Sequence, residues 1–488
     1  MRALPLLLLL AAAAGCASPG AATLHEAASP SGPALVGASF HTGFGGSEAT
    51  LGVEKDGTIF VTGFAPGDGV RVDPPPAILR SRDHGKTWQD VGPVLAAGLK
   101  DPPFTGDPYL VVDPQTGRVF SSDLTSYQCM SLAWSDDEGA SWSVNPAACS
   151  ATTGFNDHQS LVAAKPRLLP TVGYADVLHV CVNRVADAAC TRSLDGGLTF
   201  GPTRPLAAQP SVTPGTDAAK AYCGQGSTGR LQASPDGTVW LPVVDTCTGL
   251  PLVAVSQDDG LTWTTRVISK DRLADTGNYG DHEAAIAIDS AGHAHAMWLS
   301  GGLPYVASSS DLGATWTEPR LVSPPEVTAA DLPAIAAGGE DRFVVAYLGT
   351  TIPGGYHDRP FEKSASPYGD DHPKDPADWD GATWNAYLGV AGPDGRVLTT
   401  SANDPADPLA RGACGHMRCA TGGGALGMGD FIDVVVDLHG RPWASFIDAC
   451  TQACAGDPRA ADDRNEGLVA TLAQGPSLLD GTPLGPLG

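Results

Sequence analysis

A short pattern, Ser-x-Asp-x-Gly-x-Thr-Trp, recurs five times along the 488 residues of the chain and constrains the fold more than any other feature. The five copies, which we call the repeat turns, span residues 81–88, 135–142, 193–200, 256–263 and 309–316. Ser replaces Thr in the second copy, and Phe replaces Trp in the third. The aspartates of successive copies lie 53 to 63 residues apart. Such a period predicts one supersecondary unit per copy.

Each repeat turn has the composition of a tight turn between two strands. Aspartate accepts hydrogen bonds from the backbone of its own turn, glycine adopts the positive φ that other residues resist, and Thr and Trp are favoured in strands. Apolar or alternating runs, split by turn signals such as Asp56-Gly57, precede each copy. The sequence therefore predicts antiparallel hairpins in every unit.

The pattern resembles the Asp-box, or BNR repeat, of the sialidase-like β-propellers. The resemblance implies an all-β ring of sheets in which these boxes hold strands together and take no part in catalysis. We count seven four-stranded antiparallel blades, the sixth of which lacks a box. The seventh is expected to combine residues 431–436, 440–446 and 467–472 with the N-terminal strand 34–40, so that the ring has no open edge. The alternative is six blades, as in the sialidase domains of the family, plus a cap built from residues 350–430.

The N-terminus has the features of an export signal. An apolar run follows Met1-Arg2 and is too short to span a bilayer of about 30 Å as a helix. Its end, Ala13-Ala14-Gly15-Cys16, resembles the bacterial lipoprotein cleavage box, which implies acylation of Cys16 and an anchor in the membrane. Ala17 favours the outer membrane by the same analogy. The alternative is an ordinary secretory signal.

The domain organisation follows from these two features. We expect a signal peptide over residues 1–15, a flexible tether over 16–33, a single propeller domain over 34–475 and a C-terminal tail over 476–488.

The cysteines support export. Of the 11 cysteines, ten remain after Cys16. They fall into near neighbours: Cys129/Cys149, Cys181/Cys190, Cys223/Cys247, Cys414/Cys419 and Cys450/Cys454. Five disulfides formed in an oxidising compartment are the simplest interpretation. The last four cysteines could pair differently, and Cys414 and Cys419 with the intervening His416 could instead bind a metal.

Charge excludes one class of partner. The chain has 54 acidic and 29 basic residues, a formal net charge of −25. A surface this acidic repels a phosphate backbone, so nucleic acid is not expected as a partner.

Acidic residues recur near the predicted start of the innermost strands. They are Glu48, Asp107, Asp157, Glu283, Asp331 and Asp430. His158 follows one of them, Asp281 and His282 precede another, and the fourth blade offers Arg230 instead. Converging carboxylates repel one another unless they are neutralised. They could accept hydrogen bonds from strand-start N–H groups, bind an ion such as Ca²⁺ or a ligand, or supply the carboxylate pair of a glycosidase.

The sialidase mechanism itself fits the sequence poorly. The resemblance implies three arginines that hold the substrate carboxylate, the first of them on the first strand, but Glu48 stands near that position. Tyr279 near Glu283 is the only suggestive nucleophile pair, so the catalytic candidates are Asp157, Glu283 and Tyr279. The sequence favours an envelope lipoprotein that binds a glycan or an envelope protein on an acidic central face. An exo-glycosidase of altered specificity is the alternative.

Overall fold

The structure is a computed structural model. It describes residues 23–27, 34–46, 48–64, 76–93, 108–125, 129–145, 156–184, 187–206, 225–245, 249–271, 273, 284–351, 383–411, 429, 431–451, 454 and 465–487. Only the backbone is described for residues 23–27, 76, 125, 129, 156–158, 184, 187 and 225–228.

The described residues form 31 strands in seven antiparallel sheets, the blades. The chain opens with β1 (Thr23–Ala27) and β2 (Leu35–His41). Blade 1 contains β3 (Leu51–Val53), β4 (Ile59–Phe64), β5 (Pro76–Ser81) and β6 (Gln89–Asp90). Blade 2 contains β7 (Tyr109–Val112), β8 (Val119–Thr125), β9 (Cys129–Ser135) and β10 (Ser143–Asn145). Blade 3 contains β11 (Asn156–Ala164), β12 (Val177–Arg184), β13 (Asp187–Ser193) and β14 (Arg204–Pro205).

The second half of the chain continues the same order. Blade 4 contains β15 (Gln225–Thr228), β16 (Gln232–Ala233), β17 (Val239–Asp245), β18 (Leu250–Ser256) and β19 (Thr264–Val267). Blade 5 contains β20 (Ala285–Ile288), β21 (Ala294–Ser300), β22 (Leu303–Ser309) and β23 (Arg320–Leu321). Blade 6 contains β24 (Ala329–Ala337), β25 (Phe343–Thr350), β26 (Thr383–Ala391), β27 (Val397–Ser401) and β28 (Ala410–Arg411). Blade 7 contains β29 (Asp433–Val436), β30 (Pro442–Asp448) and β31 (Glu466–Gln474), followed by β2 and β1.

The blades form a closed ring. Contacts between innermost strands run from β3 to β7, β11, β16, β20, β24, β29 and back to β3. β2 pairs with β31 in blade 7, where Phe40 lies opposite Val469. The N-terminal strand is therefore the fourth strand of the seventh blade, as predicted. The seven-bladed propeller is confirmed, and the alternative of six blades with a cap is wrong.

The core lies between the blades. The described residues form seven apolar clusters, one at each interface between neighbouring blades. Trp240 and Trp298, for example, are fully buried between blades 4 and 5. Burying a Leu or Phe in such a cluster contributes about 2 kcal/mol. The ring is thus stabilised by face-to-face packing of sheets.

The repeat turns join the third and fourth strands of blades 1 to 5. In the fourth copy, Ser256 Oγ donates to Asp258 Oδ1 at 2.9 Å, and Asp258 accepts the Thr262 N–H and hydroxyl at 2.9 and 2.5 Å. The other four copies repeat these bonds. The glycine of each copy has a φ between +74° and +100°, a conformation that costs glycine little.

The repeat turns also connect neighbouring blades. Trp142 Nε1 of the second copy donates to the Val91 carbonyl of blade 1 at 2.6 Å. Asp259 of the fourth copy accepts the N–H groups of Arg167, Leu168 and Leu169 of blade 3 at 2.7 to 2.8 Å. These two turns therefore stabilise both their own hairpin and its contact with the preceding blade.

A buried histidine lies beneath the fourth repeat turn. His179 of β12 is 1% exposed, its Nε2 has no hydrogen-bond partner, and a Cβ on Gly260 would come within 3.3 Å of its Nδ1. Burial lowers the pKa of His179 to about 4, although the nearby Asp259 carboxylate raises it in part. The imidazole is therefore neutral near pH 7.

Two of the predicted disulfides are present. Cys181 pairs with Cys190 between β12 and β13, and Cys450 pairs with Cys454 after β30. The second pair excludes any other pairing of those two cysteines. The partner atoms of the remaining predicted pairs lie outside the described side chains: Cys129, Cys149, Cys223, Cys247, Cys414 and Cys419.

Segments outside the predicted propeller domain also contact blades 6 and 7. β1, inside the segment expected to be a tether, pairs with β2 from Thr23 opposite Ser39 to Ala27 opposite Leu35, because β2 would otherwise leave an edge open. In the C-terminal tail, Leu478 is buried in the cluster between blades 6 and 7. Among the residues that the structure describes, none belongs to a helix with the length and apolar character needed to cross a membrane.

Candidate functional site

A cavity lies on the ring axis where the innermost strands begin, and we call it the axial site. It offers about 60 Å³ of space to the centres of water-sized molecules and is partly open to solvent. Residues from all seven blades line it: Thr50, Tyr109, Ser160, Gly229, Arg230, Gln232, Ala284, Ala285, Ile286, Leu332, Pro333, Ala334, Ile335, Phe431, Ile432 and Asp433. Ligand pockets are typically apolar with a few convergent polar groups, as here.

An ion pair crosses the axial site. The innermost strand of blade 4 is split into β15 and β16, and Arg230 lies in the gap. Its Nη1 pairs with Asp433 Oδ1 of blade 7. Both residues line the cavity, and the Arg230 side chain, 21% exposed, is more accessible than that of Asp433, which is 5% exposed. Burial lowers the pKa of Arg230, and a hydrogen bond with Tyr109 acts in the opposite direction.

Hydroxyl groups lie beside this pair. Tyr109 Oη and Ser160 Oγ are 3.1 Å apart, and both residues are buried. The ring of Phe431 is 6.3 Å from the ring of Tyr109, at an angle of 56°. The axial site therefore combines a guanidinium, a carboxylate, two hydroxyls and two aromatic rings.

Polar residues at the axis also connect consecutive blades. Asp433 Oδ2 of blade 7 accepts the Leu51 N–H of blade 1 at 2.9 Å. Thr50 Oγ1 of blade 1 accepts the Leu110 N–H of blade 2 at 2.7 Å, and Ser160 Oγ of blade 3 accepts the Leu231 N–H of blade 4 at 2.6 Å. Buried N–H groups need such partners, so these side chains stabilise the contacts between neighbouring innermost strands as well as line the cavity.

The structure brings only some of the predicted residues to the axial site. Arg230 lines it. Asp331, which precedes the lining residue Leu332, is 4% exposed and accepts the Leu332 N–H at 2.9 Å. Glu48 is partly exposed and lies against Gly429, outside the cavity lining.

Eight other predicted residues cannot be placed in the site. Asp157 and His158 belong to β11, with their side chains outside the described atoms. Asp107, Tyr279, Asp281, His282, Glu283 and Asp430 lie outside the described residues. Their roles remain predictions.

Sequence reasoning missed the carboxylate that holds Arg230. It selected Asp430, whereas Asp433, inside the apolar run 431–436, makes the ion pair. The sequence did contain a local signal. A leucine that is 0 to 1% exposed directly follows each of four lining residues: Thr50, Tyr109, Ser160 and Arg230. Asp433 likewise precedes the buried Val434. A polar residue before a buried aliphatic residue thus marks the axial position in these blades.

The residues that line the axial site differ from those expected of a site that binds a ligand carboxylate. Of the described residues that line it, Arg230 is the only arginine, and Asp433 already neutralises its charge. Three converging arginines, which the sialidase resemblance implied, are not found among these lining residues.

A separate cluster on the opposite face has donor atoms that could hold a metal ion. Ligand atoms of Asp289, His293 and Asp341 lie within 4.8 Å of one another. Asp289 Oδ1 accepts the N–H groups of Ala291 and His293 at 2.9 Å, and Oδ2 accepts the Asp341 N–H at 2.7 Å and faces His295 Nε2 at 3.3 Å. Burial favours a higher pKa for Asp289, but these hydrogen bonds outweigh it and bring the pKa to about 2. Both oxygens therefore already have their partners.

The described axial residues do not fit Ca²⁺, one of the alternatives that the acidic residues left open. Such an ion takes six to eight oxygen ligands, but Asp433 accepts the N–H groups of Leu51 and Val434 and pairs with Arg230. A cation beside that guanidinium would be repelled.

Comparison with known proteins gives the fold context. No protein-family model matches the chain, and no curated protein matches it in sequence. Solved structures do resemble it. A Dyadobacter fermentans protein of unknown function is 13% identical with a TM-score of 0.43, and the match covers 89% of this chain and 98% of that one. An α-L-arabinofuranosidase from Fusarium graminearum is 15% identical with a TM-score of 0.42, covering 62% of this chain and 88% of that one.

An intramolecular trans-sialidase from Ruminococcus gnavus is 13% identical with a TM-score of 0.38, and the match covers 88% of this chain and 96% of that one. At identities of 13 to 15% and TM-scores below 0.5, these similarities carry no argument about activity. The assignment of a seven-bladed propeller depends on the strands of the chain itself.

Proposed function

We propose that this chain is a glycan-binding β-propeller whose axial site takes a sugar residue. The observation that carries the proposal is the convergence of Arg230, Asp433, Tyr109 and Phe431 from three blades on one cavity. Sugars present hydroxyls, which both donate and accept hydrogen bonds, beside apolar C–H faces. A guanidinium and a carboxylate match the hydroxyls, and aromatic rings match the C–H faces.

A glycan array followed by calorimetry of the hits tests the proposal. We expect binding that Arg230→Gln weakens at least tenfold, because the amide replaces a charged donor at the centre of the site. Arg320→Gln is the matched control, because Arg320 is an exposed residue of β23 that donates to the Gly395 carbonyl. Equal binding by both variants would place the ligand elsewhere, and absence of binding to any glycan would remove the proposal.

An exo-glycosidase is the second candidate. Two buried carboxylates belong to innermost strands of adjacent blades: Asp433 lines the axial site, and Asp331 precedes the lining residue Leu332. Glycoside hydrolysis uses a pair of carboxyl groups. Chromogenic glycosides provide the assay. Turnover that Asp157→Asn or Glu283→Gln abolishes would support this candidate and the predicted catalytic residues. Lack of turnover on every glycoside would leave binding alone.

The cellular setting belongs to the same proposal. We place the propeller in the bacterial envelope, anchored by an acylated Cys16, with an envelope protein as the alternative partner to a glycan. The Cys181–Cys190 and Cys450–Cys454 disulfides support an oxidising compartment. Metabolic labelling with a fatty-acid analogue tests the anchor, since Cys16→Ser should lose the label. Fractionation of the membranes tests the outer-membrane assignment.

A further inference from the structure

We propose that the Arg230–Asp433 pair makes the axial site selective for neutral sugars with adjacent hydroxyls and against sugars that carry a carboxylate. The inference depends on the proposed glycan binding and adds its specificity. It makes Asp433 a specificity-determining residue, because this carboxylate decides whether the guanidinium presents a net charge.

The charge balance of the axial site supports this selectivity. Among the described lining residues, Arg230 is the only cation and Asp433 the only carboxylate, so the two charges cancel. A ligand carboxylate would bring a second negative charge next to Asp433, and an uncompensated charge in a buried site is costly. The formal net charge of −25 also disfavours the approach of an anion.

The hydrogen-bonding capacity of the pair suits two adjacent hydroxyls. Asp433 Oδ1 accepts the Val434 N–H at 2.8 Å and pairs with Arg230, whereas Oδ2 accepts the Leu51 N–H at 2.9 Å and has a further lone pair. The guanidinium has five N–H donors. Among the described residues, the guanidinium contacts Asp433, the Leu51 carbonyl at 3.4 Å and Tyr109. One sugar hydroxyl can therefore donate to Asp433 Oδ2 while its neighbour accepts from Arg230.

Matched sugar pairs that differ only at C6 test the inference. The probes are methyl glucoside against methyl glucuronide, and methyl galactoside against methyl galacturonide. Calorimetry at constant ionic strength gives each affinity, and the increase in melting temperature on adding each probe gives an independent measure. We expect the neutral member of a binding pair to bind at least ten times more tightly than its uronide.

Asp433→Asn then tests the role of the carboxylate. The amide oxygen can still accept the Leu51 N–H, but Arg230 loses its counter-charge. We expect the preference for the neutral sugar to shrink at least tenfold or to reverse. Asp394→Asn is the matched control, because Asp394 is exposed and caps only the turn after β26, where it accepts the Arg396 N–H.

The outcomes separate the inference from the function that it specifies. Uronides that bind the natural chain as tightly as the neutral sugars, or more tightly, overturn the selectivity and leave glycan binding intact. An unchanged preference in a folded Asp433→Asn variant overturns the role of Asp433. Absence of binding by all four probes and by a wider glycan array overturns both proposals. The comparison on the natural chain needs no variant, so it holds even if Asp433→Asn does not fold.

Discussion

Acidification should destabilise the propeller through His179. The imidazole is 1% exposed, and its pKa is about 4 in the folded chain, against an ordinary value of 6.5 for histidine. Between these two values the unfolded chain binds more protons than the folded chain, so stability rises with pH. The contribution of His179 is therefore complete above about pH 6.5 and is lost as the pH falls towards 4.

The magnitude follows from the two pKa values. A shift of one pKa unit corresponds to about 1.4 kcal/mol. Lowering the pH from 7.5 to 4.5 should then cost about 2.5 kcal/mol of the free energy of unfolding through this one group. The two charged groups that act on the imidazole, Asp259 and Arg192, oppose each other and already enter the pKa of about 4.

Urea unfolding followed by tryptophan fluorescence at pH 7.5, 6.0 and 4.5 provides the assay. Other groups titrate over the same range, so the decisive quantity is the difference between the natural chain and His179→Leu. Leucine cannot be protonated and should lack about 2.5 kcal/mol of the pH-dependent loss. His439→Gln is the matched control, because His439 is exposed in the turn after β29. If His179→Leu lost as much stability on acidification as the natural chain, the reasoning from burial would be refuted.

Three further changes test other parts of the structure. Asp258→Ala should lower the free energy of unfolding, measured in urea, by about 1–2 kcal/mol, because it removes three hydrogen bonds of a partly exposed repeat turn. An equal decrease for Gln257→Ala, at the adjacent exposed residue, would contradict this. Replacing Cys181 and Cys190 by Ala should lower the free energy of unfolding by about 2–3 kcal/mol, since the disulfide closes a loop with a sequence separation of 9. An unchanged midpoint of urea unfolding would contradict this prediction. EDTA should leave the melting temperature unchanged, because hydrogen bonds already satisfy both oxygens of Asp289; a drop that Zn²⁺ or Ca²⁺ reverses would establish a bound ion.

The fold could be predicted from the sequence because its determinants are local. In each repeat turn, Asp, Gly and Thr lie within five residues and make their bonds to one another. Blade 6 has no repeat turn, but Gly395, with a φ of +67°, lies in the short turn between β26 and β27. The strand that closes the ring, β2, was found because blade 7 otherwise had only three strands.

The axial site was harder to predict because its contacts are not local. Arg230, a predicted binding candidate, lines the axial cavity, but its ion-pair partner, Asp433, lies across the channel in blade 7 and was not among the predicted residues. An acidic residue inside an apolar strand gives no indication of which distant group it will face. Tyr109 and Ser160 were missed because their polar groups meet only when blades 2 and 3 are assembled.

The pairing of β2 with β31 constrains the order of events when the chain is made. Residues 35–41 are synthesised before blades 1 to 6, whereas their partner, residues 466–474, is synthesised after all six. Blade 7 therefore cannot be completed until the other six blades have been synthesised. A nonsense mutation or proteolytic cut that removes β31 would leave β2 and β30 without a common neighbour, and such a fragment should aggregate rather than form a smaller ring.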